Sequence, residues 1–111
     1  MNSGKMHEVN KTTILQFLRE HKDVLEKNFG VTKIALFGSF ARGQETENSD
    51  IDLLIDMKEH DFDKRYDLKE FLEEAFGRTV DVGYFDSVRK FIMRQILKEI
   101  VYVRTGTIFE L

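Results

Sequence analysis

The stretch that most constrains this chain is F-G-S-F-A-R-G-Q-E-T-E-N-S-D-I-D-L-L-I-D, from Phe37 to Asp56. The apolar run Ile34, Ala35, Leu36, Phe37 reads as a short buried strand that ends in a turn at Gly38 and Ser39. A helix starting there would aim several backbone N–H groups at one spot, a seat for an anion such as phosphate, with the Ser39 hydroxyl as a further donor. After ten intervening residues come Asp50 and Asp52, followed by Leu53, Leu54 and Ile55. Side chains alternate faces along a strand, so Asp50 and Asp52 share one face while Ile51, Leu53 and Ile55 take the other. Two carboxylates that close repel, and a hard divalent cation bound through oxygen relieves the repulsion. Mg2+ fits, particularly where substrate phosphates complete its coordination.

Taken singly, each part is ordinary. A glycine-serine pair is a turn in most proteins, and D-x-D on a strand is most often a solvated polar face. The combination is more specific. Gly38-Ser39 followed at this distance by Asp50-x-Asp52 resembles the signature of the nucleotidyltransferase superfamily that includes DNA polymerase beta. The wording G-S-F-A-R-G then S-D-I-D-L-L-I is similar to the small prokaryotic minimal nucleotidyltransferases, often paired with HEPN-domain proteins as toxin and antitoxin. The similarity runs from about Val31 to Val103.

At 111 residues the chain is expected to be a single domain, with Met1 to Lys11 polar and frayed. It has no cysteine, which excludes disulfides, thiol nucleophiles and cysteine-based zinc sites. No segment is apolar enough to cross a bilayer and no signal peptide is visible, so the expected location is cytoplasmic. A net charge of −3 argues against nucleic acid as the main partner, since gripping a phosphate backbone wants a basic face.

In chain order, Ile14, Phe17, Leu18, Val24 and Leu25 form a helical stripe predicting one helix over Thr13 to Phe29, capped by Thr13 with Gln16 and stopped by Gly30. His21 falls on that stripe as a packing residue; His7 and His60 carry no assigned role. Strand one is expected at Thr32 to Phe37, a short helix at Ser39 to Arg42 ended by Gly43, and a surface loop over Gln44 to Ser49. Arg42 is placed to reach a phosphate or pair with an aspartate of the site. Strand two spans Asp50 to Met57, and a helix spans Asp63 to Phe76 with Gly77 beyond it. The charges along that helix, Arg65 and Glu73 among them, read as its solvent face, and Asp56 and Asp86 as surface residues.

Strand three is T-V-D-V-G-Y-F, Thr79 to Phe85, where Asp81 faces away from Val80 and Val82. A third carboxylate can thus join the pair. Asp81 matches the family's third acid, which the resemblance implies is a metal ligand and the base that deprotonates the attacking hydroxyl. Ser87 is a plausible cap for a last helix, Val88 to about Val101, whose broad apolar surface suits self-association or coverage by the tail from Tyr102 to Leu111.

The expected fold class is α+β, a small sheet with helices packed on one face, in the order α-β-α-β-α-β-α. Element spacing allows a parallel or a mixed sheet; the resemblance implies the mixed, polymerase beta-like form. It also implies Mg2+-dependent transfer from ATP, with Asp50, Asp52 and Asp81 as metal ligands and Gly38, Ser39 and Arg42 at the phosphates. The acceptor it implies is a hydroxyl on a partner HEPN toxin. A non-catalytic antitoxin that works by complex formation and a small-molecule nucleotidyltransferase are the alternatives.

Overall fold

The computed structural model describes residues 8–87, 101–104 and 109–110. Two helices, α1 (Lys11–Glu20) and α2 (Lys22–Phe29), lead into strand β1 (Val31–Phe37) and the short helix α3 (Gly38–Arg42). Strand β2 (Ile51–Met57), helix α4 (Phe62–Phe76) and strand β3 (Val80–Tyr84) follow, and a 3-10 turn covers Phe85–Ser87. Two more strands, β4 (Val101–Arg104) and β5 (Phe109–Glu110), complete a five-stranded sheet ordered β3-β2-β1-β4-β5. The sheet is mixed: β1 runs antiparallel to β2 and β4, whereas β2 and β3 are parallel.

The period-two pattern places the core as expected. Ile34 and Leu36 of β1, Ile51, Leu53 and Ile55 of β2, and Val80 and Val82 of β3 point into one cluster with Ile14, Leu18, Leu25, Leu68 and Leu72 from the helices. Their alternation partners, Asp52 and Asp81 included, lie on the opposite face.

Four expectations are corrected. The N-terminal helix is two helices, because the backbone leaves helical geometry at His21 (φ −108°, ψ 21°). There the Phe17 carbonyl accepts both from Nδ1 of the imidazole at 2.8 Å and from the His21 N–H at 3.0 Å. The ring stacks on Phe17 at 3.9 Å, the packing role expected of His21. The cap of α1 is Asn10 with Thr13, not Thr13 with Gln16: Asn10 Oδ1 accepts from the Thr13 N–H, and the Asn10 N–H donates to Thr13 Oγ1. β4 and β5 were not foreseen, since cross-strand pairing to β1 leaves no local signature. Val101 belongs to β4 and not to the expected last helix; the rest of that expectation, residues 88–100 and the self-association surface, lies outside the described residues.

The fourth concerns α4, whose charged face is not purely a solvent face. In the parallel ladder the Ile51 N–H bonds the Thr79 carbonyl at 3.0 Å. Backbone groups of Thr79, Asp81 and Gly83 therefore face β2, and those of Val80 and Val82 face outward along the open edge. Arg65 Nη1 donates to the Val82 carbonyl at 2.7 Å, and Glu73 Oε2 accepts from the Val80 N–H at 2.9 Å. Two α4 side chains thus blunt an edge otherwise open to another strand.

The Val80 N–H and then the Lys69 ammonium hold the Glu73 carboxyl below its ordinary value of 4.5, with burial opposing them. A lowered folded-state pKa contributes stability above the unfolded pKa that is lost as pH falls through the folded one. Glu73→Ala is therefore expected to lose up to about 1 kcal/mol in urea unfolding at neutral pH, exposure limiting the figure. The difference from wild type should shrink as pH falls below 4.5; a pH-independent loss would contradict the assignment.

Candidate active site

Three segments meet at one end of the sheet. β1 ends at Phe37, which pairs with Asp52 of β2, and Asp52 pairs in turn with Asp81 of β3. The row Phe37, Asp52, Asp81 thus lies across three adjacent strands on the face away from the core, with paired strands about 4.8 Å apart. Asp50 sits one residue before β2 rather than within it. A depression of about 230 Å3 opens over this row, lined by Phe37, Asp52, Leu54, Asp81 and Gly83.

Gly38 explains how Asp52 fits. Its φ of +75° is left-handed, where side chains are strained. A Cβ there would collide with Asp52 Oδ2 and stand 3.1 Å from its Cγ. Glycine is thus required twice over, for the turn and for the carboxylate that occupies the space. α3 starts at this residue, and its preceding residue, Phe37, makes no side-chain cap to the helix. α3 therefore begins directly beside Asp52.

Asp52 feels the charges around it. The Asp52 carboxyl is held above its ordinary value of 3.8, first by burial, then by the charge of Asp81, then by that of Asp50, while Arg42 pulls it down. Asp50 and Asp81 are thus both close enough for Asp52 to feel, and Arg42 reaches the same field while its Nε bonds Gln44 Oε1 at 3.1 Å. Among the described residues no three Asp, Glu or His side chains, Asp50, Asp52 and Asp81 included, stand together as a group that could hold a metal ion. Oxygen-only donors and an Asp52 burdened by like charges suit a hard cation such as Mg2+, which takes one or two carboxylates and leaves other positions to substrate phosphates.

A larger concavity, about 750 Å3, lies beside this row between the loop before β2 and the end of α4, lined by Glu47, Asp50, Glu70, Glu73 and Arg78 among others. It holds Asp50, whereas the smaller depression holds Asp52 and Asp81. Sequence reasoning missed Phe37 as a wall of that depression and Arg78 as a brace for the loop before β2. Alternation put Phe37 on the face of Asp52 once the strands were paired; nothing local marked Arg78. Outside the site, Asp56 pairs with Lys33 at 3.4 Å and Asp86 with His60 at 3.4 Å.

Residues 18–103 match the family described as a nucleotidyltransferase domain. The chain is similar to protein adenylyltransferase MntA of Thermococcus cleftensis, 40% identical over 91 residues that cover 81% of this chain and 92% of the relative. A solved structure described provisionally as a minimal nucleotidyltransferase superposes with a TM-score of 0.70 at 30% identity, covering 86% of this chain and 97% of that one. A chain from a toxin-antitoxin complex with AMP-PNP superposes with a TM-score of 0.59 at 26% identity, covering 83% and 70% respectively.

A raised folded-state pKa means that stability is lost as pH rises from 3.8 through the folded value of Asp52. Asp52→Asn removes that loss, so without metal the variant should melt higher than wild type at pH 7, the gap closing below pH 3.8. Gly38→Ala should melt lower at every pH, by about 1–3 kcal/mol of strain. An Asp52→Asn protein that melts lower than wild type at pH 7 would contradict the charge crowding.

Proposed function

From the premise that this chain belongs to the nucleotidyltransferase domain family, we propose that it transfers AMP from ATP to a hydroxyl on a HEPN-type partner toxin, acting as its antitoxin. The observation that carries the reading is the carboxylate of Asp52, crowded by Asp50 and Asp81 and seated in the space left by Gly38. The similarity to an MntA protein adenylyltransferase supports the reaction class, and the toxin-antitoxin complex with AMP-PNP supports nucleotide and partner.

Asp50, Asp52 and Asp81 are the residues that would hold Mg2+. When bound, the ion supplies charge stabilisation to the attacking and leaving oxygens of an in-line displacement. Gly38 and Ser39 receive the terminal phosphates at the start of α3, and Arg42 adds positive charge at the same end. Asp81, the most open of the paired acids, takes the proton of the acceptor hydroxyl. The hydroxyl oxygen then bonds the α phosphorus, the bond from that phosphorus to the bridging oxygen breaks, and pyrophosphate leaves with the electron pair.

The test is incubation with ATP labelled at the α phosphate, Mg2+ and cell lysate or a purified HEPN partner. Label should appear on a protein, with Asp50→Asn and Asp52→Asn each reducing the rate by on the order of 10^2-fold or more. Label on a small molecule would replace the acceptor. Absence of any transfer, with partner binding intact in the double Asn variant, would leave a non-catalytic antitoxin in its place.

A further inference from the structure

Arg78 lies between Gly77, which ends α4, and the first residue of β3, yet its side chain reaches across to a loop more than thirty residues earlier. Nη2 donates to the Thr46 carbonyl at 3.1 Å and to the Glu47 carbonyl at 2.9 Å. The guanidinium lies over the Phe40 ring at 5.2 Å, and Phe40 is a fully buried residue of α3. One side chain thereby touches the loop that delivers Asp50 and the helix that begins at Gly38. Its own segment enters the strand that carries Asp81.

The loop is a unit that can be held from one point. The Ser49 N–H bonds the Thr46 carbonyl at 3.1 Å, the Thr46 N–H bonds Ser49 Oγ at 2.8 Å, and the Asn48 N–H bonds Thr46 Oγ1 at 3.3 Å. Asp50 is the next residue. Immediately beyond it, the Ile51 N–H bonds the Thr79 carbonyl at 3.0 Å. Asp50 is therefore bracketed on both sides by bonds to one dipeptide, Arg78 and Thr79. The bracket matters because this loop ends at Asp50, two residues before Asp52, and like charges push it outward. Two charge-assisted bonds to backbone carbonyls oppose that push.

We propose that Arg78 is a positioning residue that fixes the loop over Thr46 to Asp50 and so sets where the Asp50 carboxylate stands beside Asp52. Its catalytic consequence rests on the nucleotidyl-transfer reading; its structural claim does not. A planar guanidinium can lie flat on Phe40 while bonding two carbonyls, which a lysine ammonium cannot reproduce.

The test measures amide hydrogen exchange, and transfer kinetics with ATP varied at a fixed concentration of a purified HEPN partner, on wild type, Arg78→Ala and Arg78→Lys. In Arg78→Ala the amides from Glu47 to Ile51 should exchange at least about 10-fold faster, while those of Ile34 and Leu53 keep their protection. Per folded molecule kcat should fall about 10- to 100-fold, as displacement of a site group by about 1 Å does, with KM for ATP within about threefold. Arg78→Lys should lie between the two on both readouts, and it carries the test alone if the alanine variant does not fold. Unchanged exchange over the loop, or a loosened loop with kcat untouched, overturns the proposal. A wild type that transfers no nucleotide overturns the functional reading instead, and the exchange result still decides whether Arg78 holds the loop.

Discussion

The structure depends on keeping like charges together at one end of a sheet. Asp52 is flanked in register by Asp81 and shares its field with Asp50, and its carboxyl is raised as a result. Left to solvent, three carboxylates would spread apart. Here the parallel pairing of β2 with β3 fixes two of them, and the bonds from the Arg78-Thr79 dipeptide fix the approach of the third. Gly38 completes the arrangement by leaving out the one carbon that would displace the Asp52 carboxylate. The apolar side of the same strands, Ile51, Leu53 and Ile55 with Val80 and Val82, supplies the burial that pays for this crowding.

Much of that was legible in the chain. A strand has a side-chain period of two, so I-D-L-L-I and V-D-V state on their own which residues go to the core and which acids go to the other face. Glycines at 30, 43 and 77 marked the helix ends, where the structure has them in left-handed geometry. Bringing Asp81 beside Asp52 needed one further inference, that β3 lies beside β2.

What stayed illegible has a local part and a distant one. The break at His21 is local, a departure from helical backbone with the imidazole on the carbonyl one turn back, which periodicity does not encode. Arg65 and Glu73 looked like any exposed helix charges until β3 came alongside, and Arg78 contacts residues 31 and 32 positions away. β4 and β5 exist only through pairing with β1 and with each other. Apart from the His21 break, each of these is a long-range or tertiary choice, to which local pattern is blind.

The proposed function rests on a single physical claim, that Asp50, Asp52 and Asp81 would together draw in a divalent cation that the nucleotide shares. The most direct measurement is Mn2+ binding followed by electron paramagnetic resonance with a non-hydrolysable ATP analogue, on wild type and on Asp52→Asn. The account predicts one or two Mn2+ per wild-type chain, displaced by Mg2+ and tightened by the nucleotide, with binding lost in Asp52→Asn. Equal Mn2+ binding by the two proteins would contradict it.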